Sequence, residues 1–253
     1  MIVIVSPTKT MHEQGKQQPC GIPMFVQESK KILEKLKELD MQAIQTLMKV
    51  NETIAEQNFK RYQAMRFDHQ GTCALELYDG LAFKYMQADA YSQKEKDYVQ
   101  EHVRILSGFY GVLRPFDSIY PYRLEMQCKL EVDGYANLYA FWHDQLAQAL
   151  INDVLKHQDQ HIINLTSKEY EKACKPYIPS EQWVDIVFQV EKEGKRKIEA
   201  TAAKMARGRM IQYLALNKVE TLEEIKAFHD DGYCFDQEAS TAQRFVFYKV
   251  VVK

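Results

Sequence analysis

The spacing of apolar residues divides the chain into alternating strands and helices. Residues 2–5 form a continuous β-branched run that stops at Ser6-Pro7, which predicts a short strand buried on both faces and central in a sheet. Apolar residues three and four positions apart predict amphipathic helices, and clear examples cover residues 24–39, 138–158 and 202–217. The chain therefore opens on a buried strand and continues with helices that each have one apolar face.

Further strands and two capping boxes complete this pattern. Ser92-Gln-Lys-Glu95 predicts the start of a helix that runs to about Leu106, and Thr166-Ser-Lys-Glu169 predicts the start of another. Strands are predicted over residues 75–78, 162–165, 183–190, 197–201 and 245–252. The mixture indicates an α+β (mixed α/β) fold, in which a mixed sheet that holds the first and last strands is flanked by helices. Because no linker-like stretch interrupts it, we expect residues 1–253 to form a single compact domain.

Composition narrows the class of protein. Of the 253 residues, 46% are hydrophobic and 27% charged, as in a soluble globular chain, and the formal net charge is −2. Any nucleic-acid role must therefore depend on a local basic patch. Eight basic residues stand against two acidic ones from Lys192 to Lys218, and seven acidic residues against one lysine from Glu220 to Glu238. Either these two segments make ion pairs with each other, or the basic segment is available to bind a negatively charged partner.

Cysteine usage and the lack of long apolar runs indicate the compartment. The five cysteines are odd in number and no Cys-x-x-Cys is present, which favours reduced thiols over a disulfide framework. The apolar run after Met1 spans four residues, too short for a signal peptide, and no run approaches the roughly 18 residues of a membrane span. We therefore expect a cytoplasmic protein that makes no membrane contact.

Few residues suggest a metal site or a reactive thiol. His157 and His161 are four positions apart, but His161 begins a predicted strand and no third ligand accompanies the pair. We therefore predict no metal and no cofactor. Cys174, between Lys172 and Lys175, is the cysteine with the most basic surroundings, and it makes thiol peroxidase chemistry a weak third option for the function.

One stretch, residues 106–126, is unlike the rest of the chain. It holds two glycines, two prolines, two arginines and five aromatic residues: Gly108, Gly111, Pro115, Pro121, Arg114, Arg123, Phe109, Tyr110, Phe116, Tyr120 and Tyr122. The prolines interrupt regular pairing and the glycines allow turns, while the apolar content is too high for a solvated loop. We predict an ordered, packed connection whose arginines either reach a surface site or make internal ion pairs.

The loop after the first predicted strand is a second candidate region. Lys9 lies in it, at the carboxyl end of the strand, where ligands bind in open α/β sheets. Lys9 either meets a phosphate group or is a solvated loop residue.

Several motifs in a fixed order give the chain a family resemblance. They are Ile4-Val-Ser-Pro-Thr-Lys-Thr10, Leu106-Ser-Gly-Phe-Tyr-Gly-Val-Leu-Arg-Pro115, Pro121-Tyr-Arg-Leu-Glu-Met126, Asn137-Leu-Tyr-Ala-Phe-Trp142, Ile163-Asn-Leu-Thr-Ser-Lys-Glu-Tyr170, Lys204-Met-Ala-Arg-Gly208 and Gly232-Tyr-Cys-Phe-Asp236. Along essentially its whole length the chain resembles the YaaA-type peroxide stress proteins. It departs from the family pattern at Thr8, where alanine is frequent, and at Gln127, where glycine often follows the methionine.

The resemblance implies a cytoplasmic bacterial protein that helps cells to survive hydrogen peroxide. It also implies DNA binding by a positively charged cleft, an element similar to a helix-hairpin-helix, and a link to limiting free iron. In this chain the helix of residues 93–106 and the turn from Gly108 to Gly111 match the first helix and the hairpin of such an element. Pro115 would end the second helix after about one turn, so we predict only a partial motif.

The first functional hypothesis is a DNA-binding protective protein. The cations expected in or beside its cleft are Lys9, Arg104, Arg114, Arg123, Lys168, Lys204, Arg207 and Arg209. Side chains that contact phosphates carry no base code, so the expected partner is double-stranded or distorted DNA of almost any sequence. No obligate protein partner is evident.

The alternative hypothesis is an enzyme that acts on a nucleotide or a modified nucleobase in the same cleft. Glu125 beside Arg123, and Glu169 beside Lys168, would be its acid–base groups. An ion pair and a helix cap are the structural roles open to these glutamates, and the sequence favours those roles over catalysis. No metal cluster, nucleophile elbow or dinucleotide fingerprint supports an enzyme.

Overall fold

The helices and strands follow the predicted pattern over most of the chain. The structure is a computed structural model, and it describes residues 1–13, 15, 17–68 and 70–251. In order, its elements are β1 (Ile2–Val5), α1 (Val26–Glu38), α2 (Met41–Met48), α3 (Glu52–Ala64), β2 (Thr72–Cys73), α4 (Ala74–Leu77), α5 (Leu81–Met86), α6 (Gln93–His102), β3 (Val103–Ser107), β4 (Gly111–Leu113), β5 (Ser118–Ile119), α7 (Leu138–Trp142), α8 (Gln145–Val154), β6 (Ile162–Leu165), α9 (Lys168–Cys174), β7 (Trp183–Lys192), β8 (Lys195–Lys197), α10 (Ala200–Asn217), α11 (Leu222–Ile225), β9 (Cys234–Phe235) and β10 (Arg244–Val250).

An eight-stranded mixed sheet with helices around it forms the centre of one compact domain, as predicted. Its order is β4-β3-β1-β6-β7-β10-β9, and β8 pairs with β7 outside this path. The five strands β3, β1, β6, β7 and β10 run parallel, whereas β4, β8 and β9 are antiparallel to their neighbours. The first and last strands share this sheet, which confirms that prediction. A second sheet is the short antiparallel pair β2 and β5.

The parallel strands reverse their spatial order beside β1. Side by side in the sheet, the parallel strands follow the order β3, β1, β6, β7, β10, so the first two are exchanged relative to their order in the chain. The connection after β1 therefore leads toward β3, whereas the connection after β6 leads in the opposite direction, toward β7. At such a topological switch point the loops diverge beyond the carboxyl ends of the strands and leave a crevice, which is the usual ligand site in open α/β sheets. Residues 2–5 are fully buried, as expected of a strand with neighbours on both sides.

Three predicted elements differ from the observed ones. Residues 75–78 were predicted as a strand, but Ala74–Leu77 is a helical turn, because a short apolar run does not by itself distinguish strand from helix. The predicted helix of residues 138–158 is two helices, α7 and α8, separated at His143, which has φ 42° and ψ −121°. Residues 197–201 end one strand and begin α10. Val252, the predicted end of the last strand, lies outside the described residues.

The predicted helix of residues 93–106 is also wrong in its second half. The capping box at Ser92 is confirmed, but α6 ends at His102 and the next five residues form the buried strand β3. The run that follows His102 is β-branched and aliphatic, and it pairs with β1 in parallel register from Val103. Because β3 forms backbone hydrogen bonds with β1 on one side and β4 on the other, this pairing stabilises a strand more than the local sequence pattern stabilises a helix.

As a consequence, the segment from Gly108 to Gly111 is the turn of a β-hairpin. It joins β3 to antiparallel β4, and Gly111 has φ +74°. The Ser107 hydroxyl accepts hydrogen bonds from the Phe109 and Tyr110 amides, at 3.1 and 2.8 Å, and the Gly108 carbonyl accepts one from the Trp142 indole, at 3.0 Å. These residues therefore do not form a helix-hairpin-helix, and the turn is packed in the interior instead of facing a phosphate.

Candidate anion-binding pocket

A pocket of about 440 Å³ lies at the switch point of the sheet. Its floor is formed by the loops that follow β1 and β6, and its walls by residues 122–125, the start of α5 and one face of α10. The two floor loops are joined directly, because the Ser167 amide donates a 2.8 Å hydrogen bond to the Ser6 hydroxyl. This volume is typical of a site for a small molecule or a single nucleotide, and it is too small for a duplex.

Four of the predicted cations line this pocket. Lys9 comes from the loop after β1, Arg123 from the stretch of residues 106–126, and Lys204 and Arg207 from α10. Lys204 and Arg207 are three residues apart on a helix, so they share one face. Residues that are distant in sequence thus supply positive charge to one crevice, which we call the switch-point pocket.

A close helix contact brings α10 to the pocket. Gly208 packs against α5 so tightly that an added Cβ would lie 2.1 Å from the carbonyl oxygen of Ala82. Real side chains do not occupy such a position, so glycine is required there for α10 to lie at this distance from α5. The preceding residue, Arg207, lines the same pocket as the start of α5.

Arg207 is the cation with the least compensated environment. Burial lowers the pKa of its guanidinium, and its Nε atom has no hydrogen-bond partner in the described part of the chain. Arg123 has an unpartnered buried Nε atom as well. Because a buried charged donor without a partner is costly, two such donors beside one pocket indicate a site that is completed by an anion.

Three carboxylates line the pocket, and two of them, Glu125 and Glu169, lie in different environments. Glu125 accepts from Lys9 Nζ at 3.0 Å and from Arg123 Nη2 at 3.1 Å through Oε1, while its Oε2 is buried without a partner in the described residues. Burial raises the pKa of Glu169, which accepts a 3.2 Å hydrogen bond from the Gln127 amide. Glu125 thus makes the ion pair that its structural role predicts, but it also lines the pocket.

The other four predicted cations do not line the switch-point pocket. Arg104 is buried, and its Nε donates to Asp153 Oδ2 at 2.7 Å, while the exposed Arg114 lies 3.6 Å from the same carboxylate. Lys168 extends into solvent beside Glu171, with Nζ and Oε2 2.7 Å apart. Arg209 lies on α10 next to this face but pairs with Asp230 at 3.2 Å. Of the two arginines in residues 106–126, therefore, Arg123 lines the pocket and Arg114 makes an internal ion pair.

The basic and acidic segments near the C-terminus pair in part. Arg196 makes an ion pair with Asp236, and Arg209 makes one with Asp230. Lys204 and Arg207, from the same basic segment, line the pocket instead. Some residues of the basic segment therefore pair with the acidic segment, whereas others remain available to bind a partner.

Sequence reasoning missed some pocket residues. Asp79, Gly80 and Ala82, at the start of α5, line the pocket opposite the floor loops. Asp79 pairs with Lys84 at 3.0 Å and with His12 at 2.7 Å. The sequence pair Asp79-Gly80 predicts a turn, but nothing in the sequence indicates that this turn lies next to the loops that follow β1 and β6.

A larger open groove adjoins the pocket. Its volume is about 1440 Å³, and it shares Lys9, Arg123 and Glu125 with the switch-point pocket. Along α2 and residues 127–134 it adds lysines and acidic residues in mixture. The Lys9–Glu125–Arg123 cluster therefore stands between a compact cationic pocket and a long groove.

The structure gives no support to thiol peroxidase chemistry at Cys174, and none to a membrane-spanning helix among the described residues. Burial raises the pKa of the Cys174 thiol to about 12, so that thiol is poorly suited to attack a peroxide at neutral pH. Within the described residues, no helix is both long enough and apolar enough to cross a lipid bilayer.

Comparison with known proteins gives a consistent result. A family model described as "Peroxide stress protein YaaA" matches residues 1–239. A UPF0246 protein of Pediococcus pentosaceus is 39% identical over 251 residues, which is 98% of each chain. UPF0246 proteins of Lactiplantibacillus plantarum and Clostridioides difficile are 40% and 36% identical over 249 and 251 residues; these alignments cover 98% of this chain and 98% and 100% of the relatives.

Proposed function

The chain belongs to the YaaA family of peroxide stress proteins, and we propose that it acts by binding DNA, largely independently of sequence, through the switch-point pocket and the adjoining groove. The observation that carries this proposal is the convergence of Lys9, Arg123, Lys204 and Arg207 on one pocket, where the buried Nε of the half-buried Arg207 has no partner among the described residues. Phosphate is the ligand group that best completes a set of lysine and arginine donors of this kind.

The size of the pocket indicates which form of DNA is preferred. A cavity of about 440 Å³ is of a size to hold one nucleotide, whereas the open groove beside it has a volume of about 1440 Å³, enough for several. We propose that one unpaired nucleotide enters the pocket and that neighbouring phosphates follow the groove. Extruding a nucleotide costs least from a single strand or a damaged duplex, so such DNA is the expected partner.

The family resemblance links protection to oxidative DNA damage and to the limitation of free iron. In this proposal the protein acts in the cytoplasm and shields distorted or unpaired DNA from damage. Limitation of free iron is an expectation from the resemblance alone, since no residue of the switch-point pocket suggests how it would occur.

Binding to labelled oligonucleotides tests the proposal. We expect fluorescence anisotropy to show tighter binding to a single strand, or to a duplex with a mismatch, than to a perfect duplex. Arg207→Gln removes a charged donor from the pocket and should weaken single-strand binding about tenfold or more. Lys156→Gln is the matched control, because Lys156 is an exposed cation that follows α8 at the opposite edge of the sheet. Equal affinities for Arg207→Gln and the wild type would contradict the proposal.

A second candidate function rests on two of the pocket carboxylates, Glu125 and Glu169. The Glu125 carboxylate is held between two cations, whereas burial raises the pKa of Glu169. A pair of carboxyl groups in unlike environments is the arrangement by which enzymes separate an acid from a base. The candidate is therefore an enzyme that acts on a nucleotide or a modified nucleobase.

Turnover assays separate the two functions. Under the enzyme hypothesis, the protein converts a nucleotide or an oxidised nucleobase, and Glu169→Gln stops this conversion while oligonucleotide binding remains. If no nucleotide is converted and Arg207→Gln still weakens DNA binding, the binding function stands and the enzyme hypothesis is rejected.

A further inference from the structure

Three potential metal ligands converge at the edge of the sheet opposite to the switch-point pocket. Glu101 and His102 end α6, and His157 follows α8. One ligand atom from each of these residues lies within 4.8 Å of the others. The rings of His102 and His157 are 4.6 Å apart between centroids. His161, the partner that sequence spacing offered to His157, instead contacts Asp159 at 2.5 Å.

The hydrogen bonds of His102 determine which of its nitrogens is free. Its Nδ1 lies 2.9 Å from the main-chain carbonyl oxygen of Met1, and a carbonyl can only accept, so Nδ1 carries the proton. A metal-binding histidine commonly donates its other ring N–H to a carbonyl in this way, which fixes the tautomer and the ring orientation. The lone pair of Nε2 is then directed away from β1.

That lone pair faces a carboxylate. Nε2 of His102 is 3.3 Å from Oε1 of Glu220. In the neutral tautomer both atoms are acceptors, so the contact is favourable only when a cation lies in this region: the N-terminal ammonium group of Met1, which interacts electrostatically with Glu220 and Glu101, a proton on the ring, or a metal ion. The backbone next to Glu220 is anchored, because the hydroxyl of Tyr98 donates a 2.5 Å hydrogen bond to the carbonyl of Val219, while the Glu220 side chain itself is exposed.

The ring of His102 is held rigidly for this role. It is 2% exposed, and it stacks on Tyr98 with 4.2 Å between centroids. His157 is half-buried and Glu101 is exposed, so an ion can reach the cluster from solvent. The site thus combines one fixed buried ligand with two ligands that can move by the small distance needed to close around an ion.

We propose that Glu101, His102 and His157 form a binding site for a divalent transition-metal ion, with Glu220 as an additional carboxylate ligand. Two imidazoles with one or two carboxylates suit ions of intermediate softness, such as Zn²⁺ and Co²⁺, and suit Mg²⁺ and Ca²⁺ poorly. The site is separate from the switch-point pocket and does not depend on the proposed DNA binding.

Titration of the untagged, chelator-treated chain with Co²⁺ tests this site. The exposed thiols of Cys20 and Cys234 are first alkylated, so that they do not contribute ligands. We expect one ion per chain, measured by the visible absorption of bound Co²⁺, and competition by Zn²⁺ at the same stoichiometry. Bound Zn²⁺ should also raise the midpoint of thermal unfolding, and a chelator should reverse that rise.

Variants distinguish this site from an adventitious one. Glu101→Gln and His157→Gln, both at accessible positions, should each weaken Co²⁺ binding about tenfold or more. His143→Gln is the matched control, since His143 is exposed and pairs with Asp144. The affinity of this variant for Co²⁺ should equal that of the wild type. Absence of saturable Co²⁺ and Zn²⁺ binding, or the same affinity in all variants, would overturn the proposal.

Discussion

Arg104 and Arg207 show how residue environment separates a structural role from a functional one. Arg104 donates to Asp153 and to the carbonyls of Gln100 and Val103, so its charge and its donors are satisfied inside the protein. Arg207 is only half-buried, but its buried Nε has no partner in the described part of the chain, and it lines the switch-point pocket. Burial alone therefore does not identify a binding residue. The Nε of Arg209 also lacks a partner among the described residues, but Arg209 pairs with Asp230 outside the pocket, so an unpartnered donor counts only where it also lines the pocket.

The Arg104–Asp153 pair should be a stability determinant. Asp153→Asn leaves the buried guanidinium without its counter-charge, and we expect the free energy of unfolding to fall by about 3–5 kcal/mol. Urea unfolding followed by circular dichroism measures this change. Lys156→Gln, which removes only the exposed partner of Asp153, should cost at most about 1 kcal/mol. A loss for Asp153→Asn as small as that of this control would show that the buried pair is not needed.

Asp117 should make stability depend on pH. Burial raises its pKa to about 6, although its Oδ2 accepts a 2.8 Å hydrogen bond from the Arg114 amide. A carboxyl group whose pKa is higher in the folded chain than in the unfolded one stabilises the fold below the unfolded value, and this contribution is lost as pH rises through about 6. The loss should be roughly 2–3 kcal/mol between pH 4 and pH 7.

Comparison with Asp117→Asn isolates this contribution. Urea unfolding at several pH values should show that the difference in stability between the wild type and Asp117→Asn changes in favour of the variant as pH rises. Glu131→Gln, at an exposed position, is the control and should follow the wild type. A constant difference between Asp117→Asn and the wild type from pH 4 to pH 7 would contradict the assignment.

The sequence predicted the four cationic residues of the pocket, but it did not predict which of the eight candidate cations would line the pocket and which would pair elsewhere. Lys9, Arg123, Lys204 and Arg207 lie in the motifs that carry the family resemblance, and so do Arg114 and Lys168, which pair elsewhere. The difference depends on carboxylates distant in sequence, such as Asp153 for Arg114. Those partners become visible only when the fold brings them together.

At the scale of elements, local signals predicted some boundaries and failed at others. The capping box at Ser92 begins α6, and the spaced apolar residues of 24–39 and 202–217 correspond to α1 and α10. The end of α6 was missed because Val103 to Ser107 pairs with β1, and such pairing is a long-range property. The hairpin from Gly108 to Gly111 was misassigned for the same reason.

The contact between α10 and α5 should be intolerant of a methyl group. Gly208→Ala would place Cβ against the Ala82 carbonyl, so the helices must separate, and we expect a loss of about 1–3 kcal/mol in the free energy of unfolding. Because Arg207 precedes this glycine, single-strand DNA binding should weaken as well. Thr201→Ala, at an exposed position of the same helix, is the control. Wild-type stability and affinity in Gly208→Ala would show that this contact does not position α10.

At the scale of the whole molecule, strand order creates the pocket. The loops after β1 and β6 diverge because the parallel strands reverse their spatial order there, and residues 122–125 and α10 close the crevice. The sequence predicted a mixed sheet with helices and a ligand site after the first strand. It did not predict the strand order, since the pairing of β1 with both β3 and β6 depends on contacts between residues that are 100 or more positions apart.

The charge distribution follows from the same arrangement. The chain has a net charge of −2, so DNA attraction cannot come from the molecule as a whole. Several of its cations are paired internally, whereas the pocket cations face a common space and outnumber the carboxylates that line it. A local electrostatic site of this kind should respond strongly to salt.

The salt dependence of single-strand DNA binding, compared between the wild type and Arg207→Gln, tests the central claim most directly. Each phosphate contact contributes a slope of about −0.7 to a plot of log affinity against log salt concentration for single strands. If Arg207 contacts a phosphate in the switch-point pocket, the slope of Arg207→Gln should be shallower by about 0.7, while that of Lys156→Gln stays at the wild-type value. A wild-type slope in Arg207→Gln, or no salt dependence in any of the three proteins, would contradict DNA binding through this pocket.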